Sequence, residues 1–282
     1  MKNFKPLAMS AAVVAATAGF AGAVNAQAMI SAGNVGDLAL VPYYTARDGM
    51  ITGLHIVNTT EATQVVKLRF RRGRDSMDAL DFNLIMSPRD EWVGFIASED
   101  GTNETMYVKT GDSTCTAPLS PNGDGIYPMP TAGPNGDTDI AFNGGAMEGY
   151  IEVIGMAQTV DESQPIAIAA KHAIDGKIDN ANPPADCVAV ESNFFRNATT
   201  TTGQDIVTTA GVGITSSSTS NQEQADKTIV PNRYVHTAAG ALSVSYFIRN
   251  GDTGVDMGGR AVHIDAFSTA ALMSNQQKII NR

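Results

Sequence analysis

The chain has 282 residues, a formal net charge of −10 and 17% charged residues. An acidic chain of this kind repels nucleic acid and anionic lipid at long range, so we expect no nucleic-acid partner. The low charge content and the abundance of small residues suit an exported β-protein better than a cytoplasmic helical enzyme.

The N-terminus predicts a Sec-type signal peptide over residues 1–26. Two lysines precede an apolar, Ala-rich run, and small residues follow it, so we expect cleavage after Ala26 or Ala28. The alternative is a membrane anchor, but the strongly apolar part of the run is short for a bilayer span. No later apolar run is long enough to cross a bilayer, so we expect no transmembrane segment in the mature chain. The predicted location is the periplasm, the outer cell surface or the extracellular space.

From residue 38 the chain alternates apolar and polar residues in the manner of β-strands. Leu80, Phe82, Leu84 and Met86 share one face of such a strand, and Pro42 favours an edge position or a bulge. Turn residues separate these segments at a spacing typical of an antiparallel sandwich. Strands are predicted in LALVPYYTA (38–46), ITGLHIVNT (51–59), VKLRFRR (66–72), ALDFNLIM (79–86) and WVGFIA (92–97).

Five basic residues are concentrated on and just after one of these strands. The favoured interpretation is the polar, solvent-facing side of a strand whose other side belongs to the core, with nearby acidic residues on the next strand as partners. The alternative is a binding patch for an anion or a polysaccharide. The residues are Lys67, Arg69, Arg71, Arg72 and Arg74, followed by Asp75, Asp78 and Asp81.

Residues 98–145 are rich in Pro, Gly, Asn and Asp and lack hydrophobic periodicity, so a loop-rich insertion is predicted there. It contains the tetrapeptide PNGD twice. Carboxylate and amide oxygens in tight turns are ligands that calcium accepts, although PNGD also forms ordinary turns. The cofactor prediction is therefore either none or calcium, held by Asn122, Asp124, Asn135, Asp137 and Asp139.

The rest of the chain predicts further strands at 148–157, 241–250 and 260–269, a short helix within 164–176, and a hairpin loop at 251–259. The late strands require partners from the early sheet. We therefore expect residues 27–282 to form one discontinuous domain. Its predicted fold class is mainly β, an antiparallel sandwich of immunoglobulin-like or jelly-roll type with long loops and at most short helices.

Cys115 and Cys187 are the two cysteines. An isolated pair in an oxidising compartment usually forms a disulfide, so we expect one here. Their spacing does not match that of a zinc site.

Sequence motifs for catalysis are missing: there is no GxSxG, HExxH, GxxxxGK[ST] or GxGxxG before a helix. No two histidines have helical metal-ligand spacing. Two of them lie in alternating segments, where an outward-facing or hydrogen-bonded histidine is expected. The histidines are His55, His172, His236 and His263. We therefore predict no catalytic residues.

Several segments resemble a group of uncharacterised exported proteins of Gram-negative bacteria that are often labelled cell-surface or hypothetical proteins. The resemblance covers about the first two-thirds of the mature chain and fades after about Phe195, and it implies an exported β-sandwich without a known activity. The segments are PYYTARDGMITGLHIVNTT, VKLRFRRGRDSMDALDFNLIMSPRDEW, EGYIEVIGMA and KHAIDG leading to PPADC.

These observations predict a non-enzymatic protein with a structural or adhesive role at the cell surface or in the extracellular matrix. Its expected partners are other surface or matrix components, or further copies of itself. One alternative is a fimbria-like subunit that assembles by strand addition, with AMISAGNVGDLAL as the donor segment. Another is a secreted carbohydrate-binding module or hydrolase, which would need exposed aromatic residues, whereas Trp92 is expected in the core.

Overall fold

The structure is a computed structural model that describes residues 28–98, 106–128, 144–172, 183–194, 206–207, 214–215, 234–269 and 271–272. The predicted signal peptide lies outside these residues. Among them, no helix has the length and apolar character needed to cross a membrane.

Strands dominate the described part of the chain and are named here in chain order. They are β1 (Met29–Ile30), β2 (Leu38–Thr45), β3 (Ile51–Asn58), β4 (Gln64–Arg72), β5 (Asp78–Met86), β6 (Glu91–Ser98), β7 (Met106–Lys109), β8 (Cys115–Ala117), β9 (Ile126–Pro128), β10 (Glu148–Thr159), β11 (Ile206–Val207), β12 (Ile214–Thr215), β13 (Tyr234–Val235), β14 (Leu242–Asn250), β15 (Val255–Arg260) and β16 (Val262–Asp265). The helices are α1 (Pro165–Ala170) and α2 (Cys187–Ser192), with a short 3₁₀ turn at Arg47–Gly49.

Two antiparallel sheets form the sandwich, as the sequence predicted. Sheet A has the order β1-β16-β2-β10-β4-β5-β8, with β13 beside β10. Sheet B has the order β15-β14-β3-β6-β7-β9, and β11 pairs only with β12. The late strands do find their partners in the early ones: β14 pairs with β3, and β16 pairs with β2.

The main core lies between the two sheets and follows the period of two. Leu68 and Phe70 of β4 and Phe82 of β5 are buried there. From sheet B, the Trp92 ring lies edge-on to Phe82 at 6.3 Å, and the Tyr127 ring stacks on Phe82 at 4.4 Å. The alternation in the sequence therefore predicted the inner face of sheet A correctly.

A second apolar cluster covers part of the opposite face of sheet A. Val65 and Ile85 project to this face from β4 and β5. Ile166 of α1 and Val190 of α2 pack against the same cluster. Much of sheet A is thus covered on both faces, which a simple inside–outside alternation does not predict.

Two local predictions are confirmed with altered bounds. Across the pairing of β2 with β10, two residues of β2, Pro42 and Tyr43, lie opposite one residue of β10, so the chain bulges at the proline. The helix predicted within 164–176 is α1, which has its proline in the first turn and ends at Ala170. Residues 173–182 lie outside the described ranges.

Two other expectations are corrected. The segment 98–145, predicted as a loop-rich insertion, contributes β7 and β9 to sheet B and β8 to sheet A. The segment 251–259 is not simply a hairpin loop between the two last predicted strands, because it contains most of β15, which pairs with β14. The following strand, β16, crosses to the other sheet. Short apolar runs such as MYVK gave too little periodicity to predict these strands.

Candidate functional site

The predicted disulfide between Cys115 and Cys187 is present and links β8 to α2. The two Cα atoms are 5.1 Å apart, and the two cysteines are 72 positions apart in sequence. The carboxylate of Asp186 caps α2 by accepting a hydrogen bond from the backbone N–H of Ala189 at 2.9 Å. The disulfide therefore holds a capped helix against the edge strand of sheet A.

The basic residues of β4 are less exposed than the sequence predicted. Lys67 and Arg72 are each only 4% exposed. Lys67 lies on the outer face of sheet A, where Phe267, Leu272 and Met156 line the same cavity of about 180 Å³. The expectation that Lys67 faces solvent is therefore wrong, because the chain after β16 covers that part of the sheet.

The electrostatics of Lys67 follow from this burial. Its Nζ lies 3.8 Å from Oδ2 of Asp81, which is also buried. Burial lowers the pKa of the Lys67 ammonium to about 8, and the Asp81 charge opposes that shift. Lys67 thus holds its proton less firmly than a surface lysine.

The arginines beside it form a network with acidic residues. Arg69 and Arg71 lie opposite Asp81 and Asp78 on β5, as the sequence predicted. The guanidinium of Arg71 contacts Asp78 at 2.8 Å and Glu152 at 3.0 Å. Arg69 contacts the same two acids at 2.9 and 3.8 Å.

The remaining two basic residues differ from each other. Arg72 lies 3.3 Å from Asp75, whereas Arg74 is exposed in the turn after β4. An anion approaching this patch would compete with carboxylates for all the basic side chains except Arg74. The geometry therefore favours a structural ion-pair network over an anion site.

The first half of the predicted calcium site forms a turn. Asp124 accepts a hydrogen bond from the N–H of Ile126 at 2.9 Å, and the flanking glycines, Gly123 and Gly125, have φ of 69° and 72°. Asn122 is exposed in the same turn, and the remaining predicted ligands, Asn135, Asp137 and Asp139, lie outside the described residues. The described residues contain no group of three or more His, Cys, Asp or Glu that could hold a metal ion. The calcium site stays a prediction.

An aromatic surface lies on the outer face of sheet B. Phe95 of β6 and Phe247 of β14 are 40% and 39% exposed, and their ring centroids are 6.2 Å apart. Gly53 of β3 lies between them in the sheet. Any side chain at residue 53 would overlap the Phe247 ring, because a Cβ there would lie 2.2 Å from it. We call Phe95, Phe247 and the exposed Ile51 beside them the Phe surface.

A serine, a histidine and an aspartate lie in contact at the opposite end of β6. Nε2 of His172 lies 3.3 Å from Oγ of Ser113. Nδ1 of the same ring lies 3.5 Å from Oδ1 of Asp90. The other oxygen of Asp90 accepts hydrogen bonds from the N–H and the hydroxyl of Ser87. We call Ser113, His172 and Asp90 the Ser–His–Asp cluster.

Local structure fixes each member of this cluster. Asp90 ends the turn after β5, and its pKa is raised by burial despite the opposing effect of His172. His172 follows α1, where its backbone bridges to Pro184. Ser113 precedes β8 and lies two residues before the disulfide at Cys115.

A cleft of about 580 Å³ opens beside the His172–Asp90 pair. Polar and charged residues form nearly all of its wall. They are Glu61, Ser87, Pro88, Arg89, Asp90, Glu91, Lys171 and His172. The imidazole therefore contacts a serine hydroxyl and also borders a space that a small polar molecule can enter.

No family model, curated protein or solved structure matches this chain.

No sequence motif marks the Ser–His–Asp cluster, because Ser113 and His172 are 59 positions apart in the chain. One signal was nevertheless available. The predicted disulfide brings the segment after KHAIDG to Cys115, and hence brings His172 into the neighbourhood of Ser113. The aspartate could not be placed in the same way, because it belongs to the turn SPRDEW between two other strands.

The other histidines have positions consistent with structural roles. His55 contacts the Glu91 carboxylate at 3.1 Å on the exposed face of sheet B. Nε2 of the buried His263 accepts a hydrogen bond from the N–H of Val244 at 2.9 Å, and burial lowers its pKa. His236 is exposed.

Proposed function

We propose that this protein is exported and has a structural or adhesive role at the cell surface or in the extracellular matrix. The disulfide supports an oxidising destination, since such bonds persist mainly outside the cytoplasm. The absence of a membrane-spanning helix among the described residues is compatible with that destination. The signal peptide and the cellular location stay predictions.

The Phe surface is the feature that best supports an adhesive role. Two phenylalanines and an isoleucine are exposed together in the middle of sheet B, each about 40% exposed. Aromatic side chains are enriched at protein contacts, because they bury a large area for little lost conformational freedom. Phe247 also covers Gly53, so the surface is a fixed part of the sheet.

The location can be tested first by fractionating cells that produce the full chain. We expect the protein in the periplasm, on the outer surface or in the medium, with an N-terminus at residue 27 or 29. Protein that keeps Met1 and remains in the cytoplasm would refute export.

The adhesive role can then be tested by measuring how strongly the purified protein is retained on the extracellular matrix of the producing cells. We expect the double variant Phe95→Ser/Phe247→Ser to lose most of that retention. Val188→Ser is a matched control, because Val188 is an exposed apolar residue on α2, which packs on sheet A. Equal retention of all three proteins would show that the Phe surface is not the adhesive site.

A second candidate, assembly by strand addition, is favoured by the edge of sheet B. Within the described part of the chain, β15 has a strand neighbour on one side only, and five of its six residues are exposed. An extended segment of another copy could add to such an edge through backbone hydrogen bonds. Replacing Met257 by Pro would remove a backbone N–H from β15. Sedimentation of the wild type and this variant at the same concentration distinguishes a self-assembling protein from a monomer.

A further inference from the structure

We propose that the Ser–His–Asp cluster is a hydrolytic site for short-chain esters of polar alcohols. The contacts run in the order that nucleophilic catalysis requires, from a hydroxyl to one ring nitrogen and from the other ring nitrogen to a buried carboxylate. The proposal goes beyond the adhesive role. It also departs from the prediction of a non-enzymatic protein, which was based on sequence motifs.

The reaction assigns one task to each residue. Oγ of Ser113 attacks the ester carbonyl carbon while its proton passes to Nε2 of His172. The tetrahedral intermediate then collapses, the bond to the alcohol oxygen breaks, and the departing alcohol takes the proton from Nε2. Water attacks the acyl group on Ser113 and gives a proton to Nε2. Collapse of the second intermediate releases the carboxylic acid, and the serine oxygen regains its proton.

Asp90 is a positioning residue in this scheme, since it acts through His172. Its carboxylate faces Nδ1, and a proton on Nδ1 leaves Nε2 free to accept the serine proton. Two hydrogen bonds from Ser87 hold the carboxylate in place.

The loop that carries Ser113 is also fixed. Asp112 accepts hydrogen bonds from the N–H of Thr114 at 2.8 Å and from the N–H of Val93 at 3.3 Å. The disulfide begins at the residue after Thr114 and ties β8 to α2. The backbone on both sides of Ser113 is thus held in place, while the Ser113 side chain is exposed to solvent beside His172, which lines the cleft.

The wall of the cleft indicates the class of substrate. Apart from Pro88, every residue on it is polar or charged. A long acyl chain would find no apolar side chain there except Pro88, whereas a hydroxyl-rich alcohol would find hydrogen-bonding partners. We therefore expect acetyl esters to react faster than octanoyl esters of the same alcohol.

Two measurements on the purified, oxidised full-length protein test the site. Intact and peptide mass spectrometry after treatment with a fluorophosphonate should show one adduct, on Ser113. Hydrolysis of p-nitrophenyl acetate should be catalytic and faster than that of p-nitrophenyl octanoate. The acetate ester is a suitable probe because its leaving group departs easily.

Variants of the three residues in the Ser–His–Asp cluster, with one control serine, test the role assigned to each residue. We expect Ser113→Ala to abolish the adduct and lower kcat/KM by on the order of 10³-fold, and His172→Gln to have a similar effect. Asp90→Asn should lower kcat while leaving KM nearly unchanged. Ser163→Ala should behave as wild type, because Ser163 is an exposed serine hydrogen-bonded to the carboxylate of Asp161 in another turn.

Circular dichroism and thermal unfolding show whether each variant is folded. An adduct on another residue would overturn the proposal. So would equal rates for the wild type and Ser113→Ala, or a folded wild type that neither reacts with the fluorophosphonate nor hydrolyses the acetate.

Discussion

Nζ of Lys67 and Oδ2 of Asp81 lie 3.8 Å apart on neighbouring strands, and both side chains are almost completely buried. The variant Asp81→Leu removes the negative charge that lies 3.8 Å from the buried Lys67 ammonium. We expect the free energy of unfolding to fall by about 3 kcal/mol, because a buried charge that loses its opposite partner is costly. Urea denaturation measures this change.

The double variant Lys67→Met/Asp81→Leu is the control for that experiment. Replacing a whole buried ion pair by apolar residues of similar size is often close to neutral. We therefore expect the double variant to recover most of the stability that the single variant loses. A single variant as stable as the wild type would show that the pair contributes little.

The dependence of stability on pH should also report on Lys67. Since its pKa in the folded protein is lowered to about 8, the folded state releases this proton at a lower pH than the unfolded chain. The unfolded state then binds more protons between pH 8 and pH 10, so the free energy of unfolding rises with pH there, by about 2 kcal/mol. Above pH 10 buried tyrosines act in the opposite direction, because burial raises the pKa of Tyr127 to about 12. The rise should be absent in Lys67→Met, and a flat wild-type profile would contradict the lowered pKa.

Arg71 and Arg74 offer a matched pair within one basic stretch. The side chain of Arg71 is partly buried and bonded to Glu152, whereas Arg74 is exposed. We expect Arg71→Ser to lower the free energy of unfolding by about 1.5 kcal/mol, since it removes hydrogen bonds between charged groups. Arg74→Ser should change it by less than about 0.5 kcal/mol. Chemical denaturation of both variants checks the difference, and equal losses would contradict the observed network.

The disulfide should stabilise the folded protein mainly by reducing the conformational entropy of the unfolded chain. It closes a segment of 72 residues, so the chain-entropy relation gives a stabilisation of about 4 kcal/mol. The variant Cys115→Ser/Cys187→Ser should show this loss in urea denaturation, with a slope altered by the less compact unfolded state. Two thiols that react with an alkylating agent in the oxidised, folded wild type would refute the bond.

Periodicity in the sequence was enough to predict the sandwich, because Val66, Leu68 and Phe70 alternate strictly and do face the core. It could not predict that Lys67 is buried, because the residues that cover it on the outer face of sheet A come about 200 positions later in the chain. The same limit applies to the Ser–His–Asp cluster. Its members come from three separate connecting segments, and only the fold brings them together.

Sheet order has a consequence for how the protein is made. The early strands β2 and β3 each take one neighbour from the last part of the chain, β16 and β14. Until synthesis has passed residue 250, β3 lacks β14, and until it has passed residue 265, β2 lacks β16, so each strand is left as an open edge with unsatisfied backbone groups. A nascent chain that stalls before residue 242 lacks both partner strands and can complete neither sheet. Incomplete copies should therefore be good substrates for chaperones and proteases, whereas complete ones are not.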